Sequence, residues 1–287
     1  MRHIIVFALL ATLPACTAKT SESDSKTVIR ITGVPDENPT ELQRKFRPMV
    51  NYLQKALGAE VKYVPVTDYG AAVQALVAGQ IDFAWLGGFT HVQSRNLSKV
   101  VPLTMRDVDR EFKSVFIANT ASGVNSVADV KGKKFAFGSK SSTSGHMMPR
   151  HFLSTEFKID SATAFDGEPV FSGAHDATAK IVETGRVAAG VLNSAVWKRL
   201  VASNKIDTSK VKVIWTTPSY VDYVWTASHA VSSDLRDKFK AAFLTLDPAN
   251  GEHRAVLALQ SANKFVEASP SDFDAIEAVA KSIGMLK

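Results

Sequence analysis

A single cysteine, Cys16, in 287 residues excludes an internal disulfide and any metal site built from several thiolates. The seven histidines are scattered, with no H-E-x-x-H or comparable spacing to hold zinc, so neither a metal nor a cofactor is expected. Beyond the N-terminus no segment stays apolar for the roughly 20 residues that span a bilayer. The basic residues form no stripe interleaved with aromatics, which sets nucleic acid aside as a partner. A phosphate loop of the G-x-x-x-x-G-K-[ST] type and a G-x-S-x-G nucleophile elbow are both missing, so nucleotide binding and the usual serine-hydrolase layout lack support.

What is present begins with MRHIIVFALLATLPAC: a basic start at Arg2, an apolar run from Ile4 to Leu13, then small residues. This is the layout of a secretory signal. Residues 1–15 are expected to be a signal peptide, and Leu13 to Cys16 resemble a bacterial lipobox in which Cys16 receives lipid. Cleavage after Ala18 is the competing reading. The polar stretch that follows gives a flexible tether over 16–27. The protein is therefore expected outside the cytoplasm, in a periplasm, held to the membrane by an N-terminal lipid anchor. A net charge of +6 suits an anionic ligand. With 45% hydrophobic residues the chain can bury two moderate cores.

Periodicity alternates between strand and helix. Val28 to Val34 reads as a strand, and Asn38 to Gly58 as a helix opened by a Thr40–Gln43 capping box, striped by Leu42, Phe46, Val50, Leu53 and Leu57, and closed by Gly58. Val61 to Val66, a short helix capped by Thr67 or Asp68, and Ile81 to Leu86 complete a β-α-β-α-β unit. Such a unit argues for a parallel or mixed sheet covered by helices, with ligands at the carboxyl ends of the strands. The pattern restarts after NTASGVNS with a strand at Lys134–Phe137, a helix at Ser144–Phe157, helix around Thr178–Thr184 and a strand at Ala188–Leu192. Two further apolar stripes, one from Leu235 to Leu246 and one from Phe273 to Ile283, read as helices returning to the first unit. The expected division is 28–118 plus 223–287 for one lobe and 119–222 for the other.

The stretch FGSKSSTSGHMMP, Phe137 to Pro149, follows a strand and opens a helix. Serine and threonine there can be ordinary N-caps. They can also converge, with free backbone amides and the positive end of the helix dipole, on an anion, and Ser142, Thr143 and Ser144 suit a tetrahedral oxyanion. Tyr69 can donate its hydroxyl from a helix start, and Trp85, Phe89 and Trp225 can wall a pocket. His91, His146 and His175 are candidate donors, His175 with Asp176 beside it to orient the ring. A hydrolase with Ser142 or Ser144 as nucleophile and His146 or His175 as base is a minor alternative; no catalytic step is needed otherwise.

VPDENPTELQRKF, VTDYGAAVQALVAGQIDFAWLGGFTHVQSR, the S-T-S-G-H stretch and VFSGAHDATAKIVETGRVAAGVLNSAVW resemble the phosphate, phosphite and phosphonate substrate-binding proteins of ABC importers. Within that family they most resemble the selenate-binding branch. The resemblance implies a type II periplasmic-binding fold, two α/β lobes closing on a ligand, acting as a monomer that delivers a small anion to a membrane permease. It places Tyr69, Ser142, Thr143, Ser144 and His175 around the anion, with Asp222 of the V-D-Y-V-W segment within reach. His91 stands where phosphonate binders of the family carry tyrosine. A binding protein that signals to a membrane receptor is the alternative role. Protons discriminate the ligands. Sulfate and selenate offer only acceptors at neutral pH, whereas phosphorus monoanions carry an O–H that needs an acceptor, so a carboxylate at Asp222 or Asp176 favours the latter.

Overall fold

The computed structural model describes residues 28–287. The expected signal peptide, the tether and Cys16 lie outside the described residues. The chain opens with β1 (Val28–Gly33), α1 (Pro39–Leu57), β2 (Glu60–Tyr63), α2 (Tyr69–Val77), β3 (Phe83–Leu86), α3 (Gly88–Leu97) and β4 (Val101–Arg106). It continues with β5 (Ser114–Asn119), β6 (Phe135–Phe137), α4 (Met148–Phe157), β7 (Val170–Phe171), α5 (His175–Glu183), β8 (Ala189–Asn193), α6 (Ser194–Ala202) and β9 (Val211–Thr216). It closes with β10 (Val224–Ala227), α7 (Ser233–Leu244), α8 (Gly251–Gln260), β11 (Phe265–Glu267) and α9 (Asp274–Ser282).

Two sheets result, a six-stranded one in the order β11-β4-β10-β3-β1-β2 and a five-stranded one in the order β7-β6-β8-β5-β9. The expected β-α-β-α-β opening is β1 flanked by β2 and β3, all parallel. Both sheets are mixed, because β10 runs antiparallel to β3 and β4, and β5 antiparallel to β8 and β9. Residues 107–113 and 217–223 carry the chain from one sheet to the other. The first lobe is expected to run to residue 118, yet β5 pairs with β8 and β9 of the second sheet. A strand buried at every position, as β5 is, has the same pattern in either sheet.

Local chemistry explains the ends of α1. Asn38, not Thr40, is the N-cap: its side chain accepts from the Glu41 amide at 3.1 Å. Pro39 takes the first helical position, where a missing N–H costs nothing, and Gly58 closes the helix at φ 61°. The buried stripe is Leu42, Phe46, Met49, Tyr52 and Leu53, so Val50 and Leu57 lie at its margin. The helix expected from Ser144 starts instead with a wide π turn, in which the Met147 amide reaches the Ser142 carbonyl at 2.9 Å. The C-terminal helices return to the first sheet as expected; Phe239 of α7 stacks on Phe83 of β3 with centroids 3.8 Å apart.

Gly33 ends β1 where backbone and core approach closely. A Cβ there would lie 2.6 Å from Phe46 Cζ, and that ring is pinned by stacking on Tyr63 at 4.2 Å and by the edge of Trp225. Gly33→Ala is expected to cost about 1–3 kcal/mol by overpacking, read as a lower urea midpoint with an unchanged slope. A midpoint equal to wild type means that Phe46 has room to turn aside.

Candidate functional site

The connections at the carboxyl ends of β1, β3, β6 and β8 meet the second crossing, 217–223, between the sheets. Ser142 caps the π turn, its Oγ accepting from the Gly145 amide at 2.9 Å. Thr143 Oγ1 accepts from the Phe89 amide at 3.0 Å, tying this turn to the start of α3 on the other sheet. A hydroxyl whose oxygen already accepts a backbone amide keeps its proton for another partner. Ser144 Oγ, Tyr69 Oη and Asp222 Oδ2 are buried with no hydrogen-bond partner among the described residues. Buried polar groups are normally satisfied, so three such atoms in one place mark a polar site. Tyr69 is set there by Asp68, which caps α2 through the Ala71 amide at 2.9 Å.

Asp222 is the acidic member. Its Oδ1 accepts from the Gly88 amide at 2.9 Å. Burial pushes its carboxyl up to about 7, against the lowering influence of that amide and of the nearby Thr143 and Ser144 hydroxyls. It can therefore accept a proton or hold one near neutrality. Burial also keeps the Tyr69 hydroxyl protonated, well above its ordinary range. His175 starts α5 with its ring fully buried; its Nδ1 faces the Asn193 amide at 3.4 Å and its Nε2 lies 3.5 Å from Tyr223 Oη. Burial lowers its pKa although Asp36 opposes this, so the ring is neutral with its proton on Nε2. Gly145 packs between His175 and Gly138, which brings the ring against the turn.

Other candidates go elsewhere. Asp176 does not orient His175: its Oδ2 accepts from the Asn38 amide at 3.0 Å and side chain at 2.7 Å. His91 turns to Thr226 Oγ1 at 2.9 Å and packs on Phe273, and burial drives its pKa down to about 3. It makes no hydrogen bond to the hydroxyl turn, because its position in the second turn of α3 faces β10. His146 bonds the Lys140 carbonyl at 2.7 Å with its ring between Phe137 and Phe171, where it lines a separate cavity of about 520 Å³. Trp85 backs the site through Tyr223, stacked at 5.6 Å.

Tyr223 and Asp36 escaped the sequence reading. Tyr223 Oη donates to Asp36 Oδ2 at 2.9 Å and accepts from Asn193 Nδ2 at 3.1 Å. The Arg106 guanidinium, paired with buried Asp109, lies 5.1 Å from the Tyr223 ring centre. Both residues fall inside segments marked as conspicuous, VPDENP and VDYVW, but nothing in either segment alone distinguishes a site residue from a core one.

A hydroxyl turn, a neutral histidine, a buried tyrosine and the Asp222 carboxylate gather between two α/β sheets, the layout of a two-lobed binding protein. The chain belongs to the family described as the ABC transporter, phosphonate, periplasmic substrate-binding protein, whose sequence model matches residues 31–273. It is 35% identical over 275 residues, 91% of each chain, to the probable ABC transporter phosphite binding protein PhnD1 of Prochlorococcus marinus (strain MIT 9301). It is 28% identical over 226 residues to the phosphate-import protein PhnD of Mycolicibacterium smegmatis, covering 75% of this chain and 70% of that one. The solved structure of PhnD1 from Prochlorococcus marinus in complex with methylphosphonate superposes with a TM-score of 0.86 at 34% identity, over 90% of this chain and 99% of that one.

Proposed function

We propose that this protein captures a small phosphorus oxyanion, of the phosphite, methylphosphonate or phosphate type, between its two sheets and delivers it to a membrane permease, without catalysis. Tyr69, Ser142, Thr143, Ser144 and His175 supply donors to the anionic oxygens, and Asp222 takes the remaining P–OH. The observation that carries this reading is the buried, unpartnered Oδ2 of Asp222 facing the Thr143 and Ser144 hydroxyls, while the other carboxylate nearby, Asp36, is already engaged by Tyr223. A phosphorus monoanion and this carboxylate share one proton, on whichever partner holds it. Sulfate and selenate bring no proton, so they meet a like charge unless Asp222 is itself protonated. The two sheets contribute opposite sides of the site, Tyr69 from one and the hydroxyl turn from the other. Ligand contacts made with both at once favour the closed arrangement. A lipid on Cys16 would hold the protein beside its permease.

The test is thermal stability of the ligand-stripped protein against each anion. At about a hundred times its Kd a ligand adds roughly 2.7 kcal/mol, a shift of several degrees. Phosphite, methylphosphonate or phosphate is expected to raise the midpoint, and sulfate and selenate to leave it unmoved above pH 7. A shift with sulfate or selenate alone contradicts the reading. Ser144→Ala removes one charge-assisted bond and is expected to weaken the bound anion by about 1–3 kcal/mol, measured by calorimetry. Equal affinity contradicts the placing of the anion at the hydroxyl turn.

A further inference from the structure

Away from the hydroxyl turn, the segment Asp36-Glu37-Asn38 reaches across to the second sheet with every residue. The Asp36 carbonyl accepts from the His175 amide at 2.9 Å, Glu37 Oε1 meets Arg199 Nη2 of α6 at 2.6 Å, and Asn38 binds Asp176 of α5. Glu41, one turn further along α1, pairs with Lys205. Glu37, just ahead of α1, is 3% exposed and also pairs with Lys45 of α1, so the carboxylate carries two cations, one from each side. Arg199 Nη1 adds a contact to Ser261 Oγ at 3.3 Å. It thus touches the first sheet's layer at two points.

We propose that Glu37 and Arg199 form an interlobe clasp that sets ligand affinity without touching the ligand. This rests on the reading of the cleft as an anion site. The second cation makes the clasp reversible. When the sheets part, Arg199 leaves for water while Lys45 remains to neutralise Glu37, so opening does not strand a buried charge. The clasp is also adjacent to the site in sequence. Asp36 holds Tyr223 and the His175 backbone, so drawing Glu37 towards α6 draws the Tyr223–His175 array onto the turn. Arg199 and Glu37 are positioning residues. They act on the population of the closed arrangement and hence on ligand release.

The test measures phosphite and methylphosphonate binding by calorimetry and release by stopped flow for wild type, Arg199→Met, Glu37→Gln, the double variant, Arg199→Lys, and Ser144→Ala as a site control. Arg199→Met is expected to weaken binding about 5- to 30-fold, mainly through faster release, with the ligand-free urea midpoint unchanged. The double variant should be no weaker than the worse single one, and Arg199→Lys should recover part of the loss. Arg199→Met binding within twofold of wild type, while Ser144→Ala binds weakly, overturns the clasp and leaves the anion site standing. So does a fully additive double variant. Failure of wild type to bind either anion, or Ser144→Ala binding as wild type does, removes the site reading and the clasp with it.

Discussion

Asp222→Asn is expected to weaken phosphite and methylphosphonate binding by roughly 30- to 100-fold, the loss of a charge-assisted bond in a buried site. Asparagine keeps the acceptor for the Gly88 amide, so the start of α3 stays in place. What disappears is the carboxylate that takes the P–OH, and what replaces it is an amide that can donate. The same substitution should therefore improve sulfate and selenate binding, and the ratio of the two affinities is the sensitive readout. An unchanged ratio would mean that Asp222 faces no ligand proton.

The variant should also alter the ligand-free protein's response to pH. Burial raises the native carboxyl to about 7 from its ordinary 3.8, so between these values the native protein holds a proton that the unfolded chain has released. Stability is then fullest below the unfolded value and declines as pH rises through about 7. Asparagine has no such titration. At pH 8 ligand-free Asp222→Asn should be the more stable by about 1–3 kcal/mol, and the two proteins should converge near pH 4. A difference that is constant with pH contradicts the raised carboxyl.

The second large effect is expected at Gly145. A Cβ there would stand 3.0 Å from His175 Cε1, 3.0 Å from Ser142 Oγ and 3.2 Å from Gly138 Cα. The turn cannot retreat, because the Gly138 amide is bonded to the Gly145 carbonyl at 2.8 Å and the Gly145 amide to Ser142 Oγ at 2.9 Å. Gly145→Ala must spread His175 from the hydroxyl turn, and a displacement of a few tenths of an ångström misaligns several donors together. Binding should fall about 100-fold, the loss of roughly 2–3 kcal/mol of hydrogen bonding, with about 1–3 kcal/mol of stability lost through overpacking. Retained affinity in calorimetry, with the ring signals of His175 unshifted in NMR, would mean that the site tolerates the methyl and that the glycine serves chain flexibility alone.

The sequence carried the local parts of this architecture and lost the non-local ones. The hydroxyl turn is a contiguous run behind a strand, and Asp68 is a cap immediately before the helix that Tyr69 starts, so both could be read without knowing the tertiary fold. Tyr223 and Asp36 are 187 residues apart in the chain, and no spacing rule joins them. His91 and His146 illustrate the opposite error. Each stands in a conspicuous segment, but one turn of helix and a backbone carbonyl aim them away from the hydroxyls. The Asp176 carboxylate is next to His175 in sequence, yet successive residues at a helix start point apart, and it serves Asn38 across the lobe interface. The expected lobe boundary at 118 falls beyond the crossing for a related reason: β5 is a fully buried strand of the second sheet, and such a strand displays its apolarity without displaying its partners.

The most direct test of the account is titration calorimetry of the ligand-stripped protein at pH 8 with methylphosphonate or phosphite against sulfate or selenate, repeated at pH 5.5. The phosphorus anions should bind at both values, because the monoanion brings its P–OH at pH 5.5 and the more basic dianion takes up one proton from solvent on binding beside Asp222 at pH 8. Sulfate and selenate, too weakly basic to do so, should bind only at the lower pH, once Asp222 is protonated. Sulfate or selenate binding tightly and equally at both values would contradict the shared proton, and with it the assignment of the cleft to phosphorus oxyanions.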